Sequence, residues 1–311
     1  MPGLIPGSGW PDMTDIPNPN TFDVAEPSAA IRLWRRVRGH KGLMFGTTLF
    51  LIIVLMGLTA PFLAPYDPYD QDLMNRLVPP VWYEKGSWAH PFGTDNLGRD
   101  YLSRTLYGAQ ISLLIGIAVM TISGVIGTAL GLMAGYFGGR VDMAVTFIVT
   151  TRLALPVVLV ALAVVAMVGG TLLIVIAVLG FLKWDRFAVV MRSATQQVRS
   201  LDYVAAAEAA GASTPRIIFG EILPNVAPQL IVVATVEAAS AILLEAALSF
   251  LGLGVQPPLP SWGLMISEAK NFMFFSFWLI AIPGTALALL VLAINMMGDG
   301  LRDVTAPEGR S

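Results

Sequence analysis

The residue types that carry most enzyme chemistry are scarce in this sequence of 311 residues, which has two histidines, His40 and His90, and no cysteine. A chain without cysteine has no disulfide, thiolate metal site or cysteine nucleophile. Both histidines lie outside the long apolar runs, and no G-x-x-x-x-G-K-[ST] motif occurs, so the sequence offers no P-loop for ATP hydrolysis. We therefore expect a non-enzymatic chain with no catalytic and no metal-binding residues.

Two acidic residues, Glu237 and Glu245, stand inside an apolar run, where ionisable side chains are costly and often functional. Eight positions along a helix separate side chains by about 80° in projection, so both carboxylates could face one transport pathway. For Glu245 we favour a structural alternative, in which its side chain pairs with the loop after the helix. For Glu237 the two interpretations stay open.

The composition indicates that these acids lie in a membrane protein. Hydrophobic residues make up 55% of the chain and charged residues 13%, against about 25% charged in soluble domains. Six apolar runs are long enough to span a bilayer: 43–64, 111–135, 143–167, 171–190, 226–250 and 274–297. The fourth run is interrupted by Lys183, Asp185 and Arg186, so its apolar part is expected to stop early. The sequence thus predicts an all-α membrane protein with six transmembrane helices.

The distribution of basic residues predicts the orientation. With the N-terminus inside, thirteen Lys and Arg residues fall in cytoplasmic segments and five in external ones, so both termini are expected in the cytoplasm. The predicted parts are a largely disordered N-terminal tail, 1–42, that ends in a basic segment, a six-span domain, 43–297, and a C-terminal tail, 298–311. An external loop, 65–110, and a cytoplasmic loop, 190–224, interrupt the domain. A net charge of −2 gives no nucleic-acid footprint.

Proline and glycine predict local features of the spans. Pro156 and Pro283 are expected to kink the third and sixth spans, leaving carbonyl groups that need other partners. Gly127, Gly131 and Gly135 repeat every four residues on the second span, a spacing that allows another helix to approach closely.

The cytoplasmic loop predicts a helix–turn–helix. Ser200 can cap a first helix that has Asp202 in its first turn, runs from Tyr203 to Ala210 and ends at Gly211. Thr214 and Pro215 can open a second short helix to residue 222, before Pro224 opens the fifth span. The first helix carries mostly alanine, at positions 205, 206, 207, 209 and 210. Such a smooth helix suits insertion into a groove of another protein; the alternative is an ordinary Ala-rich connector.

The order Ala206-Ala207, Gly211 and Leu223-Pro224 resembles the EAA loop of ATP-binding-cassette importer permeases. In that family the loop is a coupling helix that docks into a cleft of the cytoplasmic ATPase. The resemblance implies that the coupling residues are Asp202, Tyr203, Ala205, Ala206, Ala207, Gly211, Leu223 and Pro224. Two positions depart from the pattern, because Ala205 stands where the family has an acid and Glu221 where it often has a basic residue.

A second motif, His90-Pro-Phe-Gly-Thr-Asp-Asn-Leu-Gly-Arg-Asp100, resembles the segment before the second span of C-type subunits in the dipeptide/oligopeptide/nickel permease group. Thr94, Asp95 and Asn96 are turn or cap formers. The residues assigned to this external loop motif are Gly93, Thr94, Asp95, Gly98, Arg99 and Asp100. Gly98 allows a tight bend and Asp100 can cap the helix that follows, with Arg99 and Asp100 expected to form a local structural pair. Segments 245–254, 257–263 and 295–303 also resemble the group, so the resemblance covers residues 90–303.

The resemblance implies the type I importer permease fold and a role as one transmembrane subunit of an ATP-driven importer in a bacterial inner membrane. Its expected partners are a homologous B-type permease, two ATPase subunits or domains that bind ATP and magnesium, and an external solute-binding protein. The expected substrate is a di- or oligopeptide, whose amino group Glu237 and Glu245 could meet. Nickel or glutathione are alternative substrates, and an ion-coupled secondary transporter is a more distant alternative.

Overall fold

The computed structural model describes residues 36–305, and its regular structure within that range is helical. The α-helices are α1 (Lys41–Leu58), α2 (Ala60–Leu63), α3 (Tyr101–Phe137), α4 (Gly139–Leu153), α5 (Val157–Val168), α6 (Leu172–Leu182), α7 (Asp185–Arg199), α8 (Asp202–Ala209), α9 (Thr214–Arg216), α10 (Leu223–Phe250), α11 (Trp262–Ala269) and α12 (Trp278–Thr305). A π-helical turn, Ile217–Ile222, joins α9 to α10. The predictions for residues 1–35 and 306–311 lie outside the described residues.

Four helical stretches are long and apolar enough to cross a membrane: α1, α3, the stretch Thr214–Phe250 that ends with α10, and α12. The pair α4 and α5 satisfies the same requirement jointly, although the two helices are bent by 79° where they meet. These elements match five of the six predicted spans. The prediction of an all-α membrane protein is confirmed.

The remaining predicted span, 171–190, is divided between two helices. α6 has 11 residues, a length of about 16 Å, which is shorter than the hydrocarbon core of about 30 Å. It stops at Lys183, and α7 begins at Asp185 as an amphipathic helix that buries Phe187 and Met191. The early end predicted from the charged residues is confirmed.

The two prolines expected to kink spans behave differently. α4 ends before Pro156, which becomes the N-cap of α5. α12 instead continues through Pro283, so the helix is not broken there, and a kink at this residue stays a prediction. The carbonyl of Leu279, which Pro283 cannot bond, accepts a hydrogen bond from the Tyr101 hydroxyl, so the freed carbonyl does have the other partner that was expected.

The glycine repeat of α3 forms a close contact between helices. A Cβ atom at Gly131 would lie 2.7 Å from the Cβ of Met191, and one at Gly127 would lie 2.2 Å from the carbonyl oxygen of Trp184. Because glycine has no Cβ, α7 lies directly against the backbone of α3, as the four-residue spacing predicted.

The first and last described spans lie side by side. α1 packs along α12, and the His40 Nε2 atom lies 3.1 Å from Asp303 Oδ2. Residues 40 and 303 are therefore on the same side of the bundle. That this side faces the cytoplasm stays a prediction.

Candidate coupling loop and transport pathway

The first half of the predicted cytoplasmic loop is the short helix α8. Its end at Gly211 is confirmed, since Gly211 has a φ of 80°, the left-handed conformation that favours glycine. The predicted cap at Ser200 is wrong, because Leu201 is the N-cap. Ser200 is the C-cap of α7, and its hydroxyl donates to the carbonyl of Gln197.

α8 presents a smooth surface to solvent. Its alanines at 205, 206 and 209 are exposed, Ala207 is half-buried, and Asp202 and Tyr203 are also exposed. Val204 is the exception, with none of its surface exposed. The helix therefore exposes mostly small side chains. Val204 is its one buried residue, and Ala207 packs partly buried against the same apolar cluster.

Val204 belongs to an apolar cluster that joins α8 to four other elements. The cluster includes Leu132 and Tyr136 of α3, Met191 of α7, Ile217 of the π turn and Val226 of α10. Two polar contacts to Tyr136 add to it: its hydroxyl lies 3.3 Å from Glu208 Oε1, and the Arg199 guanidinium lies 5.3 Å from its ring centre. A movement of α8 would therefore act on α3, α7 and α10 together.

The second half of the loop runs directly into a span. Ser213, one residue before the predicted Thr214, is the N-cap of α9, and Pro215 lies in its first turn. The predicted separate helix is wrong, because α9, the π turn and α10 follow one another without a break. Leu223 and Pro224 form the first turn of α10, with Pro224 exposed.

The loop predicted to be external ends at Asp100 rather than at 110, because α3 already begins at Tyr101. Gly93 and Gly98 have φ values of 77° and 76°, so the tight bend predicted at Gly98 is confirmed. Thr94 is fully buried and its hydroxyl accepts a hydrogen bond from the Val78 amide. The motif therefore folds the preceding segment against the start of α3.

Near the motif, the 3₁₀ turn Leu73–Asn75 is capped by Asp72. The Asn75 side chain donates to Asp72 and, together with the Met74 amide, lowers the pKa of this external carboxyl below its usual value. This turn lies beside Gly98, where a Cβ atom would be 1.8 Å from the Asp72 carbonyl oxygen.

A buried ion cluster ties the motif to α11. Arg99 Nε donates to Asp95 at 2.6 Å, and Arg99 and Arg104 reach Glu268 with distances of 3.1 and 2.8 Å. Arg104 has none of its side-chain surface exposed. Glu268 was not predicted from the sequence. Its partners Arg99 and Arg104 are more than 160 positions away, and no motif around Glu268 indicates that it binds them.

Asp100 has a separate role at the start of α3. Its carboxylate accepts from the amide and hydroxyl of Ser103, which confirms the predicted helix cap, and lies 2.9 Å from His90 Nδ1. The expected pair between Arg99 and Asp100 is wrong, since each residue has other partners. Arg99 and Asp100 nevertheless both have structural roles, because Arg99 binds Glu268 of α11 and Asp100 binds Ser103 of α3.

The two acids of the fifth span are both buried, with 1% of their surface exposed, and they occupy different surroundings. Glu245 accepts hydrogen bonds from Ser249 at 2.7 Å and from Ser261 at 3.0 Å. Ser261 lies in the loop after α10 and caps α11, which matches the structural alternative. A place in the transport pathway stays a prediction for Glu245.

Glu237 lies in the middle of α10 and pairs with cations from the break between α6 and α7. Lys183 Nζ is 2.7 Å from its Oε2 atom, and Arg186 Nη1 is 3.4 Å from its Oε1 atom. Lys183 also donates to Ser240 at 2.8 Å. Glu237 lines a cavity together with these basic residues.

A helical membrane bundle with an exposed Ala-rich loop held on its core is the arrangement of a transport permease. The chain matches the family described as "Binding-protein-dependent transport system inner membrane component" over residues 127–310, and "N-terminal TM domain of oligopeptide transport permease C" over residues 28–80. The chain belongs to the family of binding-protein-dependent transport system inner membrane components, and it is a multi-pass membrane protein.

Its relatives include two permeases of peptide transport systems. The Di/tripeptide transport system permease protein DppC of Pseudomonas aeruginosa (strain UCBPP-PA14) is 42% identical over 282 residues, which cover 91% of this chain and 93% of the relative. The Dipeptide transport system permease protein DppC of Escherichia coli (strain K12) is 42% identical over 275 residues, covering 88% and 92%.

A solved structure shows the same fold. The MetNI methionine ABC transporter in inward-facing conformations matches with a TM-score of 0.54 and 19% sequence identity. The match covers 65% of this chain and 97% of the solved one. The chain therefore has the type I ABC importer permease fold.

Proposed function

We propose that this chain is the C-type permease subunit of an ATP-driven importer of di- and oligopeptides, and that it lies in a bacterial inner membrane. The names of its peptide-transporting relatives support the substrate class. The chain itself supplies half of the translocation pathway and performs no catalysis.

The observation that carries the proposal is the exposure of α8. An amphipathic helix that served only as a connector would bury its apolar face, whereas α8 buries Val204 and leaves Ala205 and Ala206 open. A surface with so little side chain lets a partner approach the helix backbone closely. The partner that fits this face is the cleft of an ATPase subunit.

The mechanism follows from the connections of α8. ATP and magnesium bind to the partner ATPases, whose closure moves their clefts and the docked helix. The π turn Ile217–Ile222 links the loop without a break to α10, the span that carries Glu237. Movement of the loop thereby changes the position of the pathway-lining span and alternates access between the two sides of the membrane.

The complete importer needs three kinds of partner beside this chain. A homologous B-type permease completes the pathway, and two ATPase subunits or domains dock on the cytoplasmic loops. A solute-binding protein delivers the peptide to the external face, where segment 65–100 lies over the start of α3. Cytoplasmic location of both termini follows from the excess of basic residues on that side.

Nickel or glutathione import remains the alternative within the same family. A secondary transporter fits less well, because it leaves the exposed Ala-rich loop without a role. The test is uptake by the importer reconstituted in liposomes with its co-purified partners, with mass spectrometry of the ligand on the binding protein. Peptide uptake that requires ATP supports the proposal. Uptake without ATP that follows a proton or sodium gradient would refute it.

A further inference from the structure

A cavity of about 310 Å³ lies where two broken helices meet the middle of α10. Its ionisable lining comprises Arg152 at the end of α4, Lys183, Asp185 and Arg186 at the break between α6 and α7, and Glu237. Three cations and two carboxylates give the lining a formal charge of +1. Charged side chains grouped in this way at a membrane helix break are costly, so they call for a function.

The cavity lies beside the middle of α10. Glu237 is about 21 Å along α10 from Leu223, and the whole 28-residue helix is about 42 Å long. Binding sites of membrane transporters commonly lie beside discontinuous helices whose backbone ends face the cavity. The break at Pro156 and the break at Lys183 provide two such discontinuities.

Part of the charge that lines the cavity is neutralised by contacts within the protein. Lys183 and Glu237 bind each other at 2.7 Å and are almost fully buried, with 9% and 1% of their side chains exposed. Arg152 donates one Nη2 hydrogen bond to the carbonyl of Leu182, at the end of α6, while its buried Nε has no hydrogen-bond partner among residues 36–305.

The groups left facing the cavity are two guanidinium groups and one carboxylate. Arg186 keeps 63% of its side chain exposed, and its nearest acid atom, Glu237 Oε1, is 3.4 Å away without a hydrogen bond. Asp185 also lines the cavity, at the first position of α7. Lys183 is the closer partner of Glu237, so Arg152, Arg186 and Asp185 together leave the lining with a formal charge of +1.

The chemistry of these groups selects the ligand. Guanidinium groups bind carboxylates through paired hydrogen bonds, and a positive lining disfavours a divalent cation. The volume equals that of about ten water molecules, enough for one end of a peptide and too small for a long one. The cavity also shares Leu153 and Arg186 with a larger groove of about 690 Å³ whose other walls are mainly valines of α7 and α10. Apolar side chains of a bound peptide could extend into that groove.

We propose that the cavity is a transient binding site for the backbone carboxylate of a peptide in transit, held by Arg152 and Arg186, with Asp185 placed to meet a free amino group. The site rests on the proposed function as a peptide importer, and it adds a recognition step within the membrane to the selection made by the binding protein. Lys183 and Glu237 are positioning residues, since each holds the other at the helix break.

The experiment compares two cargoes in the complete reconstituted importer: an alanine dipeptide with a free C-terminal carboxylate and the same dipeptide as its C-terminal amide. Both are supplied on the same loaded binding protein, so the preference of that protein cancels when variants are compared. The variants are Arg186→Gln and Arg186→Lys. Arg192→Gln is the matched control, on the same helix but paired with Asp142 outside the cavity.

We expect Arg186→Gln to lower the ratio of free-carboxylate to amide uptake about tenfold, the loss of one charge-assisted pair, with Arg186→Lys in between and Arg192→Gln unchanged. Arg186 is largely exposed, so its replacement should not prevent folding. ATP hydrolysis stimulated by the loaded binding protein verifies assembly of each variant. A second variant, Asp185→Asn, should alter discrimination between a free and an acetylated amino group.

An unchanged uptake ratio in an assembled Arg186→Gln importer would overturn the carboxylate site. An equal fall for both cargoes would overturn it as well, because it would mean a structural role. If the wild-type importer transports neither dipeptide, the proposed function itself fails. These outcomes are distinct, because the first two occur with normal wild-type peptide uptake.

Discussion

The attachment of α8, the candidate coupling helix, through the buried Val204 leads to a quantitative prediction. α8 has eight residues, fewer than the twelve to fifteen or so that an isolated helix needs to be even marginally stable in water. Its order must therefore come from packing, and Val204 is its fully buried residue. The change Val204→Ala removes two methyl groups, each worth about 0.8 kcal/mol, so about 1.6 kcal/mol in total, with a further cost where a cavity remains.

A loss of about 1.6 kcal/mol shifts the equilibrium between the packed and the open loop about fifteenfold. We expect amide hydrogen exchange at residues 205–212 to become faster by about that factor in the purified permease in lipid nanodiscs. Uptake per ATP hydrolysed should fall as well, because fewer complexes present a helix that the ATPase can move.

The matched control is Val255→Ala. Val255 has 1% of its surface exposed and lies in a different apolar cluster, so the change is chemically the same and distant from α8. It should leave the exchange of 205–212 near the wild-type rate. Unchanged exchange in Val204→Ala, or equal acceleration by both variants, would refute the view that burial of this valine holds the helix in place.

Three further predictions concern the coupling surface, the helix contact and the external turn. Gly211→Asp and Ala207→Arg should lower uptake per ATP hydrolysed about tenfold, an effect of about 1.4 kcal/mol. Membrane insertion and ATP hydrolysis should persist in both variants. The control Gly211→Asn suits a φ of 80° and adds no charge, so transport should stay coupled to ATP hydrolysis. Normal coupled uptake in the charged variants would count against docking. Gly131→Ala should destabilise the permease by about 1–3 kcal/mol, measured as a lower melting temperature, because the new Cβ would lie 2.7 Å from that of Met191. The control Gly284→Ala meets no atom within 4 Å and should not lower it. Gly98→Ala should speed protease cleavage within 65–100, and a wild-type cleavage rate would contradict the role assigned to the turn.

Features that depend on local rules could be predicted from the sequence. The turn at Gly98, the cap at Asp100, the end of α8 at Gly211 and the helix break at Pro156 each follow from the conformational preference of one residue type. The close contact of α3 with another helix also followed from its glycine spacing, although the spacing could not say that α7 is the partner.

Features that depend on distant partners could not be predicted. Lys183 and Glu237 are 54 positions apart in the sequence, and only packing of the α6–α7 break against α10 brings them together. The start of α3 at Tyr101 could not be predicted either, because a charged residue such as Arg104 is unfavourable in a membrane helix. In the structure Asp95 and Glu268 neutralise the charge of Arg104. The partner of the Leu279 carbonyl that Pro283 leaves free is the hydroxyl of Tyr101 on another span.

The length of α3 has a mechanical consequence. Its 37 residues extend about 55 Å, far more than the hydrocarbon core of about 30 Å. Asp100, which holds the external motif, caps one end, and Tyr136, which contacts Glu208 of α8, lies at the other. In the proposed importer, one uninterrupted helix thus joins the face where the peptide arrives to α8, the helix that docks on the ATPase. A tilt of α3 moves both of its ends together. Binding of a loaded binding protein at one end and closure of the ATPase at the other can therefore influence each other without any chemical messenger crossing the membrane.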